Sequence, residues 1–492
     1  MDVTSIMKKI NIILFLTFIT ISFAARGDIV SVELLSTKSV SNNQTYIEDE
    51  LSSTVTDQFS LDPVSYGYRM YKIAYETIDA HGNFHIATGT IAFPRVDWPD
   101  VPNEAFPIIS YQHGTVLERS SVSSVSGVWI LPAFLAGSGY VYLEPDYLGL
   151  GDSEGMHPYQ IKEPYGTAVI DLIRAAKQYS EQNNQFTINE QLFLVGYSEG
   201  GYATMATHQI IERDYSDEFE ITASFPMAGA YSMSEIMVDV MLSMVEYGEP
   251  FYFPYVLFAY EDSYPEIGSV VDYLLPEYWV LEDMFDGYTS STVVNEFMPS
   301  IPMQIMIPDS IQSFQDNYNH PLKVALRAND LWDWLPQSPM YIFHGIADEL
   351  VPVENADLAY NQFIENGATD VYLEYIPSNF GGHADAAPWA LLGAFEFAQD
   401  MAIIDCLVDV DCNNECGGSA VLDDCDVCNG DNSTCAMVGD LNGDLTINVL
   451  DVVLLVNLIF DNAPYTEIAD LNNDQLINVL DVVLLVGVIL PD

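Results

Sequence analysis

Leu192-Phe193-Leu194-Val195-Gly196-Tyr197-Ser198-Glu199-Gly200-Gly201 is an apolar run that ends in a Gly-x-Ser-x-Gly turn. The run predicts a buried strand, and the pattern from Glu199 to Tyr215 predicts a helix directly after it. Strand, turn and helix in that order make the turn a nucleophile elbow. The glycines are needed because the turn is tight and strained, so side chains two before and two after the serine would meet neighbouring backbone. A serine hydroxyl is thereby held at the carboxyl edge of a sheet, beside the positive end of the next helix. The pentapeptide alone is common by chance; its flanks give it meaning.

Working outward, Tyr71 to Ile78, the turn Asp79-Ala80-His81-Gly82-Asn83, and Phe84 to Phe93 alternate as a hairpin does. Before them lies a polar Ser/Thr/Asn-rich lead-in to about Glu50. Phe106 to Tyr111, Tyr140 to Leu143, Ile221 to Ala230, Met340 to His344 and Val371 to Ile376 are further apolar runs that read as buried parallel strands. Helices are predicted at Glu354 to Asn366 and Trp389 to Ile403. The alternation implies an α/β fold, a mostly parallel sheet with helices on both faces. Between about 232 and 336 the rhythm gives way to a stretch rich in Met, Tyr, Phe and Pro, read as an inserted cap after the sixth of these strands.

A serine hydroxyl needs a base to take its proton and a carboxylate to orient that base. Among eight histidines, His383 in Phe380-Gly381-Gly382-His383-Ala384 lies after the last predicted strand and before the last helix, where a loop brings it over the serine. His81, His85, His208 and His320 suit surface, core or cap roles, and His344 a structural one. The strand Met340 to His344 turns at Gly345 and presents Asp348, with Glu349 the competing acid, before Val351-Pro352. Two backbone donors should face the developing oxyanion. One is the amide of Glu199; the other comes from Gln112-His113-Gly114-Thr115, with Gly114 preferred and Thr115 left open. His113 braces this loop.

Ser110-Tyr111-Gln112-His113-Gly114-Thr115, Pro145-Asp146-Tyr147-Leu148-Gly149-Leu150-Gly151 with His157-Pro158-Tyr159, and the elbow itself resemble the secretory lipase and lipase A family of α/β-hydrolases. The resemblance covers about residues 51 to 403. It implies the α/β-hydrolase fold with a cap, secretion, and cleavage of carboxylic esters of lipids without a catalytic cofactor. Asp146 to Gly151 reads as a turn that braces the sheet.

The chain has 14 Lys and Arg against 72 Asp and Glu, a formal charge of -58, yet only 17% of its 492 residues are charged. Such a surface repels nucleic acid and anionic membrane and suits a salty or calcium-containing medium. Lys8 and Lys9, the apolar run Ile10 to Phe23 and Ala24 read as a signal peptide, too short for a membrane span. No other segment reads as transmembrane. All six cysteines fall between Cys406 and Cys435, which in an exported chain implies three disulfides of undetermined pairing; half a zinc site at Cys425-x-x-Cys428 is the alternative.

Asp440-Leu441-Asn442-Gly443-Asp444-Leu445-Thr446-Ile447-Asn448-Val449-Leu450-Asp451 recurs thirty residues on from Asp470 to Asp481. Oxygens at loop positions one, three, five, seven, nine and twelve wrap Ca²⁺ in EF-hand fashion. The ligands are Asp440, Asn442, Asp444, Thr446, Asn448 and Asp451, then Asp470, Asn472, Asp474, Leu476, Asn478 and Asp481, with main-chain carbonyls at position seven. The duplicated loop and helix resemble type I dockerins, which implies a cohesin-type protein partner and attachment to a scaffold or cell surface. At position six, where that family has glycine, Leu445 and Gln475 stand and are forced towards positive φ.

The organisation read from the sequence is a signal peptide at 1–24, an α/β-hydrolase domain at 25–402, a Cys-rich connector at 403–437 and a dockerin-like calcium-binding tail at 438–492. The leading function is a secreted esterase or lipase using Ser198, His383 and Asp348 on a lipid or small ester. A peptidase or amidase on the same triad, and a non-catalytic binding protein, are the alternatives.

Overall fold

A computed structural model describes residues 25–50, 63–96, 102–127, 129–413, 415–423, 427–430 and 437–490. The proposed signal peptide lies outside them. After Asp405 the chain divides into two compact units.

Nine strands of the first unit form one sheet: β1 (Ile29–Lys38), β2 (Gly67–Ile78), β3 (Phe84–Arg95), β4 (Glu104–Gln112), β5 (Val141–Pro145), β6 (Thr187–Tyr197), β7 (Ala223–Met227), β8 (Met340–Gly345) and β9 (Val371–Ile376). Their order is β1-β2-β3-β5-β4-β6-β7-β8-β9. From β5 to β9 neighbours are parallel, while β1, β2 and β3 are antiparallel to one another and β3 to β5.

The period of two in β6 assigns its side chains to two cores. Leu192 and Leu194 pack with Val169, Ile170 and Ile173 of the helix Lys162–Asn183. Phe193 and Val195 face the other way, towards the helix His383–Met401. That helix meets the sheet along Ala386, Ala390, Ala394 and Ala398, all fully buried at four-residue spacing. Small side chains on one stripe let it lie close to the strands. Between β7 and β8 the chain leaves the sheet for a set of helices that includes Ile236–Leu242, Tyr252–Ser263, Pro308–Asp316 and Pro321–Ala328.

Two sequence expectations need correction. The polar lead-in contains an edge strand, β1, and the helix Val40–Glu50. Most of β1 is exposed, so no buried face marks it in the sequence. The last helix begins at His383, not Trp389, and carries Pro388 inside it. A proline that reads as a helix start therefore stands one turn into the helix.

In the second unit, disulfides join Cys406 to Cys416 and Cys412 to Cys428. Bonding of Cys428 removes the thiolate a zinc site would need; Cys425 and Cys435 lie outside the described residues. The helices Val449–Phe460 and Val479–Ile489 bury Leu455 and Leu485 around Ala469. Among the described residues, no helix is long and apolar enough to cross a membrane.

Packing at the β6 turn gives the first test. A Cβ on Gly200 would overlap the carbonyl oxygen of Gln112. Gly200→Ala should therefore cost about 3 kcal/mol of stability, an overpacking penalty that rigid main chain cannot relieve. A thermal melt indistinguishable from that of the wild type would contradict this packing.

Candidate active site

Ser198 follows the last residue of β6 and precedes the helix Glu199–Asp214. Its backbone lies at φ 62° and ψ −123°, outside the regions open to most L-residues. Main-chain bonds hold it there: the Ser198 amide donates to the Met227 carbonyl at 2.8 Å, and the Tyr202 amide donates to the Ser198 carbonyl at 3.1 Å.

His383 reaches the serine from the far end of the domain. Its Nε2 lies 2.8 Å from Ser198 Oγ, and its Nδ1 lies 2.6 Å from Asp348 Oδ2. An ionised carboxylate only accepts, so Nδ1 carries the proton and donates to Asp348. The neutral ring's Nε2 is then an acceptor for the serine hydroxyl. Ring position is fixed by the main chain on both sides: the His383 amide donates to Glu349 Oε2 at 2.9 Å, and Tyr197 OH donates to the His383 carbonyl at 2.6 Å. Of the two candidate acids, Asp348 thus meets the imidazole and Glu349 seats the backbone beneath it.

Asp348 is fully buried at its side chain. Its Oδ1 accepts from the amides of Leu350 and Val351 at 3.0 and 2.8 Å. His344 Nε2 stands 3.4 Å from Oδ2 and 2.8 Å from the Val351 carbonyl. Burial by itself would push this carboxyl up, but hydrogen bonds from His344 and His383 outweigh it and hold it at about 2. His344 therefore supports the acid as well as the loop. The signal for it was its placement four residues before Asp348 at the end of β8.

The Glu199 amide opens its helix and belongs to the first turn, where amides lack intrahelical acceptors. Gly114 adjoins the serine: a Cβ built on it would lie 3.9 Å from Ser198 Cβ and 3.5 Å from the Tyr197 carbonyl. His113 Nδ1 lies 2.8 Å from the Gly114 carbonyl, the bracing bond expected of it. Thr115 Oγ1 is bonded to Tyr159 OH at 3.1 Å. Asp146, in the turn after β5, accepts from Thr88 and Ser124 hydroxyls at 2.5 Å each.

Sequence reasoning missed the Glu199 side chain. It is buried behind the nucleophile, and its Oε1 accepts from His157 Nε2 and Tyr165 OH, both at 2.8 Å. A cavity opens beside Ser198 under the inserted helices, with walls that include Met233, Met237, Met241, Tyr252 and Val256.

The tail positions read as calcium ligands form two like loops. Asp440 accepts from the amides of Gly443, Asp444 and Leu445, and Asp451 from those of Leu441 and Asn448. Asp470 and Asp481 repeat the arrangement with Gln475, Leu471 and Asn478. Asn442 and Asn472 bond Asp444 and Asp474, and Thr446 and Leu476 follow with amides on the same carboxylates. Leu445 and Gln475 have φ of 62° and 65°, the strained position expected of them. Among the described residues, no three His, Cys, Asp or Glu side chains converge on a point where a metal would sit. The donors are nonetheless all oxygen, and Asp440, Asp451, Asp470 and Asp481 are buried in a unit without a single Lys, Arg or His. In kind, these residues fit a hard divalent cation.

A mostly parallel sheet with a strained serine at its carboxyl edge, hydrogen-bonded through histidine to aspartate, defines an α/β-hydrolase. Residues 117–394 match the secretory lipase family, and the chain belongs to that family. It is an ester-hydrolysing enzyme. A putative hydrolase from Legionella pneumophila is similar at 26% identity with a TM-score of 0.65, over 76% of this chain and 98% of that one. The rice cell wall degrading esterase LipA from Xanthomonas oryzae is 26% identical with a TM-score of 0.64, over 75% and 95%. Candida antarctica lipase A in its closed state shares the fold at 16% identity and a TM-score of 0.55, over 77% and 82%. A search of curated proteins gives no match.

The depressed Asp348 has a consequence for stability. A carboxyl lowered on folding stabilises the protein above its unfolded value, near 4, and that contribution is lost as pH falls towards 2. The stability gap between wild type and Asp348→Asn, measured by urea unfolding, should therefore narrow across that window. A gap that stays constant would mean that Asp348 is not held ionised by its histidines.

Proposed function

We propose that the chain is a secreted carboxylic-ester hydrolase that works through an acyl-enzyme on Ser198. The observation that carries this reading is the unbroken hydrogen-bonded chain Ser198–His383–Asp348 at a strained elbow. Ser198 Oγ attacks the ester carbonyl as its proton passes to His383 Nε2, and Asp348 stabilises the imidazolium that forms. The amide of Glu199 and one from the Gly114–Thr115 loop, with Gly114 preferred, donate to the oxyanion, each worth about 3 kcal/mol. His383 returns its proton to the departing alcohol. Water, activated by the same imidazole, then releases the acid.

Lipid or small aliphatic esters are the proposed substrates, supported by the apolar cavity beside Ser198 and by the family. The esterase and lipase relatives favour oxygen esters over amides. Export is supported by the Lys8 to Ala24 reading, the two disulfides and family membership. The tail is proposed as a dockerin-like module whose two loops hold Ca²⁺, with a cohesin-type partner as its docking target. Buried carboxylates without a cationic side chain in the unit support the metal, since like charges so placed need a counter-charge. The duplicated, exposed Val449-Leu450 and Val479-Leu480 support the partner.

Ser198→Ala should lower kcat on p-nitrophenyl esters by about ten-thousandfold or more with the fold retained by circular dichroism. Near-normal turnover would remove the mechanism. Calcium should protect the 438–492 segment of the full chain from limited proteolysis, and EDTA should reverse the protection. Equal cleavage with and without the ion would argue that the loops stand without metal.

A further inference from the structure

Two buried oxygens in the cavity beside Ser198 have no donor. Glu199 is 1% exposed; His157 and Tyr165 both bond its Oε1, and Oε2 is left unpartnered. Gln160 is 5% exposed, and its Oε1 is likewise buried and unpartnered. Both residues line the same cavity as the serine. Their companions there are largely apolar, Met233, Met237, Met241 and Val256 among them.

Gln160 is not free to turn its side chain away by moving its backbone. It sits at φ 59°, with its amide bonded to Tyr165 OH at 3.2 Å and its carbonyl bonded by Tyr260 OH at 2.9 Å. A non-glycine residue kept in the left-handed region beside a reaction centre is a position where surrounding structure overrides local preference. Glu199 is held as firmly, between the helix start and the His157–Tyr165 pair.

A purely hydrocarbon chain entering this cavity would seal both oxygens away from any donor, which is costly for an amide and more so for a carboxylate. A chain carrying a hydroxyl would supply the missing donor. Sites that present unpaired acceptors to a substrate discriminate strongly against the analogue lacking the donor. The geometry points to Glu199 and Gln160 as the specificity-determining pair of this enzyme, accepting hydrogen bonds from a hydroxyl on the aliphatic chain of the ester. This inference rests on Ser198 as the nucleophile and adds the substrate class. The hydroxylated chain can belong to the acid or to the alcohol of the ester, and the chemistry of recognition is the same.

The test compares kcat/KM for methyl decanoate with a positional series of methyl hydroxydecanoates, and for hexyl butanoate with butanoate monoesters of hexanediols. The first set carries the hydroxyl on the acid and the second on the alcohol. At least one hydroxylated ester should exceed its plain counterpart by about tenfold or more, and Gln160→Met and Glu199→Gln should each shrink that ratio. Gln160→Met preserves side-chain length, so it remains informative if Glu199→Gln disturbs the His157–Tyr165 pair and fails to fold. Esters hydrolysed with no hydroxyl preference in either set would overturn the inference and leave the esterase reading standing, as ordered water satisfying the two oxygens would produce. A preference that survives both substitutions would also overturn it. Absence of turnover on every ester would overturn the inference and the esterase reading together.

Discussion

The close approach of main chain to main chain at the end of β6 is the constraint on which the site depends. Gly196, Gly200 and Gly201 press against Gly200, Gln112 and Met227 backbone, with no room for a Cβ at any of the three. That contact lets the strand reverse into a helix within one residue. The residue at the reversal is Ser198, and its strained backbone is stabilised by bonds from strand β7 and the helix. Hydroxyl exposure, helix dipole and the nearby Glu199 amide all follow from this one turn.

Around that point the protein assembles polar groups in a setting dominated by hydrocarbon. Asp348 is kept ionised in a buried position by two histidines and two amides, so the cost of burying its charge is met by hydrogen bonds. His383 is placed by the first turn of a helix whose alanine stripe lies on the sheet, and Glu349 accepts its amide. The imidazole is thus oriented by secondary structure as much as by its acid. The inserted helices then cover the serine with methionine and aromatic side chains, which exclude water and strengthen the polar contacts beneath.

The tail follows a different logic. Its acids have no basic side chain to pair with, and each loop's first and last aspartates turn to backbone amides. Hydrogen bonds of this kind hold the loop's shape while leaving negative charge concentrated in it. Apolar residues on the two helices bury only Leu455, Ala469 and Leu485 fully, a small core for a unit that carries this much like charge.

Much of the catalytic domain was legible because its signals are local. The elbow glycines, the apolar runs of β4 to β9 and the Asp348 loop each announce themselves within a dozen residues, and three candidate residues far apart in the chain do come together. What stayed hidden depends on neighbours distant in sequence. The exposed edge strand β1 has no buried face to reveal it, and the start of the last helix at His383 is set by packing of its alanines on the sheet. The roles of Glu349, His344 and the Glu199 side chain could not be read at all, because a carboxylate's or imidazole's partner is a fact of three-dimensional proximity. Sequence determined which residues could react, since backbone sterics and side-chain chemistry are properties of short segments. Tertiary structure alone decided which acid meets the imidazole and which oxygens remain without donors, because hydrogen bonds act over about 3 Å of space and not along the chain.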